Sequence, residues 1–175
     1  MRPNVDDYFI GMARLVAMRG TCLRRHVGCV LVNMRNHVLS TGYNGRASGQ
    51  AHCNQVDDVV DGIALTPFAC KGAHAKTGTQ LDECEAIHAE QNALLQCRDI
   101  WEIETCYVTA SPCITCAKLL LNTSCRRIVY LRPYTGHLDV VKELWSGRVI
   151  EQYTAELEVV PGTRKTPPHW QTYTS

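Results

Sequence analysis

"TCYVTASPCITCAKLLLN", residues 105–122, decides the fold class. Residues 105–110 carry the aromatic and β-branched composition of a short strand. Ser111 and Pro112 then interrupt it. Serine suits a helix N-cap and proline the first helical turn, so a helix over 112–122 follows the strand directly. "RIVYL" (127–131) reads as the next strand, followed by a helix near 137–145 and a terminal strand at 148–152 or 157–160. Strands alternating with helices predict a sheet with parallel pairs, covered on both faces.

Upstream of that unit, a helix is expected near 86–97, and "VGCVLVNM" (27–34) with "HVLSTGYN" (37–44) reads as a hairpin across the polar Arg35 and Asn36. "VDDYFIGMARLVAMR" (5–19) places apolar residues at 5, 9, 12, 13, 16 and 17, the spacing of an amphipathic helix. Residues 45–85 hold five of the twelve glycines and three of the ten cysteines without a sustained period. A loop of that length in a small domain is functional or pinned by something. The segment "PGTRKTPPHWQTYTS" (161–175) reads as a tail or arm, which leaves one domain over 1–160. A chain of 175 residues with 45% hydrophobic content suffices for one compact domain with a core.

Charge and composition narrow the partners. A formal net charge of +1 gathers no polyanion, so duplex nucleic acid is not favoured, while a small anionic ligand stays open. No apolar run approaches the length of about 18 residues that spans a membrane. "MRPNVDDYFI" has acids where a signal peptide has its apolar core, so no membrane association and a cytoplasmic location are expected. Ten cysteines in a reducing compartment point to metal binding or catalysis rather than disulfides.

Two short patterns carry the chemistry. "IHAEQNALL" (87–95) contains His88 and Glu90, and "SPCITC" (111–116) contains Cys113 and Cys116. Each is weak alone, since the first is compatible with helix surface and the second with a redox dithiol, half a zinc ribbon or two core thiols. Together they say more. Cys113 and Cys116 fall at a helix start, where the dipole favours thiolates, and His88 opens the preceding helix. Converging at one end of the sheet, the three would hold Zn²⁺ and leave a fourth position open, the arrangement of a catalytic site. Two thiolates cancel the ion's charge, so a nearby base gains importance, and Glu90 supplies one. The combination H-x-E with P-C-x-x-C is a known signature of zinc deaminases.

"HAEQNA" and "SPCITCAK", with "VGCVLV" and "STGYNG" upstream, resemble the cytidine deaminase superfamily, and within it the deoxycytidylate (dCMP) deaminases, over residues 5–145. The resemblance implies an α/β fold, a three-layer α/β/α sandwich around a mixed five-stranded sheet. It implies catalytic zinc on His88, Cys113 and Cys116, with Glu90 as proton shuttle. It further implies hydrolysis of dCMP to dUMP and ammonia in a homo-oligomer, a hexamer, activated by dCTP and inhibited by dTTP, with Mg²⁺ accompanying the triphosphate effector. By the same resemblance Asn44 holds the sugar, backbone near Ala89 and Ser111 reads the pyrimidine edge, and Tyr134 lies near the base. From its residues alone, Asn44 is equally a turn residue in Asn-Gly.

Arg24, Arg25 or His26 could meet a 5′-phosphate, with Arg25 the candidate carried forward, although a charged stretch before a strand is usually solvated. Asn33, Asn36, Gly45 and Arg46 are candidate effector contacts. A second, structural zinc on Cys22, Cys53, Cys70 and Cys84, with His52 or His74 as substitutes for one thiol, would pin the 45–85 loop. Cys29, Cys97, Cys106 and Cys125 fall in apolar elements and read as core thiols. Trp101 and Trp145 read as core or interface residues. Two other functions stay open: a polynucleotide deaminase acting on tRNA adenosine or single-stranded DNA, and a non-catalytic zinc module. The near-neutral charge weighs against the first and Glu90 against the second.

Overall fold

Residue parity along the central strands sorts the core into two layers. The computed structural model describes residues 2–55, 69–74, 83–134 and 138–154, together with the backbone of Asp58–Val60 and Ile63–Leu65. Its main sheet contains β1 (Gly28–Val32), β2 (Val38–Tyr43), β5 (Thr105–Ala110), β6 (Arg127–Arg132) and β7 (Val149–Gln152) in the order β2-β1-β5-β6-β7. β2 and β1, and β1 and β5, are antiparallel, whereas β5, β6 and β7 are parallel, so the sheet is mixed as expected.

Val30, Val32, Tyr107 and Val129 project to one face, where they meet Phe9, Ile10 and Ala13 of α1 (Val5–Ala17). Cys29, Leu31, Cys106, Val108, Ile128 and Tyr130 project to the other, against α2 (Ala89–Gln96), α3 (Ile114–Leu121) and α4 (Leu138–Leu144). These are the three layers of an α/β/α sandwich. Every residue of β1 is buried, the signature of a strand covered on both sides.

Two glycines set the distance of the helices from the sheet. A Cβ at Gly28 would come within 2.1 Å of the Ala13 carbonyl on α1, and one at Gly42 within 2.2 Å of the Ala89 carbonyl on α2. α1 is capped by Asn4, whose side chain accepts from the Asp7 amide at 2.8 Å while Asp7 reaches back to the Asn4 amide. The bidentate pair of Arg127 with Asp6, at 2.7 and 2.8 Å, ties the same helix to β6.

Residues 45–85 are less irregular than the sequence suggests. β3 (Asp58–Val60) pairs antiparallel with β4 (Ile63–Leu65), and a 3₁₀ turn covers Lys71–His74. The β-branched residues on either side of Asp61-Gly62 are a hairpin signal. The alternative terminal strand at 157–160 and the tail at 161–175 lie outside the described residues. Trp145 is fully buried, whereas Trp101 is exposed. No helix among the described residues is long and apolar enough to cross a membrane.

Candidate active site

The ends of β1, β2, β5 and β6 that carry Val27, Asn44, Ala110 and Tyr134 gather around one cavity. α2 begins there. Its N-cap is His88, whose amide donates to the Gln91 side chain at 2.8 Å, and the preceding Ile87 exchanges two backbone hydrogen bonds with Gly45 at 2.8 and 3.2 Å. α3 also begins there, with Cys113 as its N-cap accepting the Cys116 amide at 3.5 Å. The expected Ser111 cap is therefore displaced by two residues. The Ser111 hydroxyl is taken instead by the Tyr134 amide at 2.6 Å, and its own N–H donates to the Arg132 carbonyl at 2.9 Å.

These starts bring three ligand atoms together. His88 Nδ1 lies 3.6 Å from Cys113 Sγ and 3.5 Å from Cys116 Sγ, and all three atoms fall within 4.8 Å of one another. Tetrahedral zinc with ordinary Zn–N and Zn–S lengths separates its nitrogen and sulfur ligands by about 3.6 Å, so the donor set fits that ion. Among the described residues this is the one compact group of metal-ligating side chains.

The electrostatics suit thiolate ligation beside a base. Cys113 is held down at about 4, first by the hydrogen bond from Cys116 and also by His88, while Cys116 is pushed up by that same bond and by burial. His88 is raised by its hydrogen bond with Cys113. Glu90, 4% exposed on the first turn of α2, is raised to about 6 by burial. A carboxyl group poised near neutrality can both take and return a proton.

Most of the expected substrate contacts meet in the same cavity. Asn44, Ser111, Tyr134 and Arg25 line it together with His88, Glu90 and Cys113. The Arg25 guanidinium lies 5.2 Å over the Tyr134 ring. Ala89 is fully buried and its side chain is not part of the wall. Cys22, Arg24, Cys84 and Ala86 complete the lining. Of these, Cys22 and Cys84 were expected only in a separate structural site, and nothing in local spacing relates them to this cavity.

Asn33, Asn36, Gly45 and Arg46 do not form one cluster within the chain. Asn33 and Asn36 make the β1–β2 turn, where Asn33 Oδ1 accepts the amides of Arg35 and His37 at 3.0 Å and Asn36 adopts a φ of 60°. That turn lies at the end of β1 opposite the cavity. Gly45 pairs with Ile87, and Arg46 donates to the Ala51 carbonyl at 3.0 Å and to Glu85.

Cys22, Cys53 and Cys70 are buried and Cys84 is partly so. Cys53 and Cys70 pack with Cys84 in one small buried cluster, but the four sulfurs do not form a compact metal-ligating group. Cys84 is held at about 5 by its hydrogen bond with Cys22. His52 is engaged with the Thr21 hydroxyl at 3.3 Å, and His74 is exposed. Cys29, Cys106 and Cys125 are buried in the core, as expected, and Cys97 packs at its edge.

The profile of the cytidine and deoxycytidylate deaminase zinc-binding region matches residues 3–132. Deoxycytidylate deaminase of Schizosaccharomyces pombe is 37% identical over 135 residues, covering 76% of this chain and 38% of that protein. The Saccharomyces cerevisiae deoxycytidylate deaminase is 35% identical over 157 residues, 88% of this chain and 46% of that protein. Deoxycytidylate deaminase of Mycobacterium phage D29 is 38% identical over 130 residues, 74% of this chain and 95% of that protein. The match thus spans less than half the length of the two yeast relatives and nearly all of the phage one. Among solved structures, the dCMP deaminase from the cyanophage S-TIM5 in complex with dCMP and dUMP is similar with a TM-score of 0.61 and 26% identity, covering 87% of this chain and 99% of that one.

Proposed function

The chain belongs to the cytidine and deoxycytidylate deaminase family, and from that premise we propose that it converts dCMP to dUMP with release of ammonia. One observation carries the reading: a zinc-compatible His88, Cys113 and Cys116 triad beside a cavity that His88 and Cys113 line together with the buried Glu90. The names of the yeast and phage relatives, and the dCMP and dUMP bound in the cyanophage structure, support the substrate.

His88, Cys113 and Cys116 would hold the zinc, which when bound supplies a Lewis acid that makes water nucleophilic at neutral pH. Glu90 takes the proton of the attacking water, delivers it to ring N3 as C4 becomes tetrahedral, and then assists departure of the amino group. Its burial keeps that proton from bulk solvent. Asn44, Ser111 and Tyr134 form the wall for base and sugar, with the Ala89 backbone at the pyrimidine edge. Arg25 faces the 5′-phosphate.

A structural Zn²⁺ on Cys22, Cys53, Cys70 and Cys84 is proposed on the family resemblance, with the packing of Cys53, Cys70 and Cys84 in one cluster as its support. Two zinc ions per chain by elemental analysis would support it, and one would overturn it. Activation by dCTP with Mg²⁺, inhibition by dTTP and assembly into a hexamer are proposed on the family resemblance. Exposed Leu15, Leu95 and Trp101 supply apolar surface for that assembly. A cytoplasmic location is assigned because ligand thiols must stay reduced.

The activity is tested by following ammonia release from dCMP, dCTP, cytidine and a tRNA, with and without added dCTP or dTTP. Release from tRNA alone would favour the polynucleotide deaminase, and none at all the non-catalytic zinc module. Glu90→Gln should keep its zinc and lose about 10²–10⁴-fold in turnover. Substantial activity in that variant with metal retained would remove Glu90 from its role.

A further inference from the structure

At the end of the sheet opposite the catalytic cavity, the starts of β6 and β7 border a second cavity of about 380 Å³, lined by Ser124, Arg126, Gly147, Arg148 and Val149. Strand pairing builds it. The Val149 N–H donates to the Arg126 carbonyl at 3.0 Å, which sets the residues just before β6 and β7 side by side. Gly147, at a φ of 86°, turns the chain from α4 into β7, and a Cβ there would meet nothing within 4 Å. Two arginines thereby share one concave surface.

Their charge is uncompensated, unlike that of the arginine beside them. Arg127 is paired with Asp6 and Glu151, whereas among the described residues neither Arg126 nor Arg148 has a carboxylate partner. Arg148 is nonetheless held in place: its Nη1 donates to the Cys125 carbonyl at 2.6 Å, and its guanidinium lies 5.4 Å over the Trp145 ring. The rest of its fork is uncommitted among the described residues. The Ser124 hydroxyl donates to the Ile103 carbonyl at 2.6 Å, so it forms wall rather than a donor to a ligand. Like charges that converge in a concave place without a counter-charge attract an anion.

We propose that this cavity is a phosphate-binding site, separate from the catalytic one, in which Arg126 and Arg148 hold a diphosphate or longer phosphate chain, free or as the end of a nucleotide. Arginine forks match phosphate oxygens in pairs, which a site for a neutral ligand would not need. The volume lies within the range of small-molecule sites, about 300–1,000 Å³. None of these residues lines the catalytic cavity, so the proposal does not depend on the deaminase reading.

Calorimetric titration of pyrophosphate at constant ionic strength, into the wild-type chain and into Arg126→Gln, Arg126→Lys and Arg25→Gln, tests the site. Affinity should fall about tenfold in Arg126→Gln, the size of one charge-assisted contact. It should recover in large part in Arg126→Lys, which restores the charge without the fork. Arg25→Gln, on the wall of the catalytic cavity, should leave this binding event in place. A parallel titration with dCTP separates the two sources. Tighter binding of dCTP than of pyrophosphate, weakened by the same factor in Arg126→Gln, assigns the site to a nucleotide, and equal affinity assigns it to the free anion.

No saturable binding of pyrophosphate to the wild type, or the same affinity in Arg126→Gln, would overturn the site. So would binding that Arg25→Gln alone abolishes, since the anion would then sit in the catalytic cavity. Should Arg126→Gln fail to fold, Arg148→Lys replaces the other fork by a point charge, and unchanged affinity there would overturn the site equally. Each of these failures leaves the deaminase reading untouched, because that reading is tested by turnover of dCMP.

Discussion

Gly42→Ala should disable the site without touching a single site residue. A Cβ at position 42 would stand 2.2 Å from the Ala89 carbonyl and 2.3 Å from the Ala93 amide, whereas real contacts of this kind start near 3.0 Å. Both clashing atoms are backbone, so no side chain can swing away, and the start of α2 must retreat by about 0.8 Å. His88 caps that helix and Glu90 lies on its first turn. Overpacking of this kind costs about 1–3 kcal/mol, which in a domain of this size lowers Tm by about 2–12 °C. A displacement near 1 Å in a catalytic constellation costs about 10²-fold in rate. Turnover of dCMP per mole of folded, zinc-loaded protein should therefore fall by about two orders of magnitude. Gly28→Ala is the matched control, with an equally short approach to α1, which carries none of the three metal ligands. It should lose comparable stability and far less turnover. Gly11→Ala, whose added Cβ meets nothing within 4 Å on α1, should be neutral or stabilise by about 0.5–1 kcal/mol. Wild-type turnover and metal content in Gly42→Ala would refute the placement of α2 against β2.

Further outcomes separate ligand thiols from core thiols and surface charge from fold. Cys113→Ser should lose its zinc, while Cys29→Ser, which breaks the buried 3.5 Å contact with Cys106, should keep it and lose stability only; elemental analysis of both variants decides. Asp6 is held below the ordinary carboxylate range by its hydrogen bonds with Arg127, so the pair's contribution is fully present above about pH 3.8 and lost as pH falls through the lower folded value. Asp6→Asn should lose about 1 kcal/mol at neutral pH, and its Tm should fall less steeply than the wild type's below about pH 4. Trp145, fully buried under α4, should cost about 3–5 kcal/mol when replaced by alanine, and a loss under about 1 kcal/mol in a urea melt would contradict its place in the core.

The periodic elements were legible because each is written within its own length. The apolar spacing of 5–19 and the strand-like runs at 27–34, 37–44, 105–110 and 127–131 return as α1, β1, β2, β5 and β6, with ends shifted by one or two residues. Their alternation also implied the parallel part of the sheet. The hairpin of β3 and β4 was passed over in a loop read for its glycines and cysteines. The cap of α3 was misplaced because Ser111 is a better N-cap than Cys113 on propensity alone, and its competing partner, the Tyr134 amide, is 23 residues away. Asparagine bonds its own turn and tolerates positive φ, and Asn33 and Asn36 show both uses in the β1–β2 turn.

The site divides along the same line. H-x-E and C-x-x-C are each confined to about one helical turn, so the candidate ligands and base could be picked out from spacing. Whether they meet depends on contacts that no local pattern encodes: Gly42 against the Ala89 carbonyl, Gly45 paired with Ile87, and Asn44 clasping Arg25 and Val27. In "STGYNG" the glycines at 42 and 45 and the asparagine at 44 face three different partners, and together they join the sheet, the start of α2 and the segment that precedes β1. A change at any of these positions should alter rate or affinity by moving a neighbour, so their effects are separable by which substrate, metal or stability readout moves first.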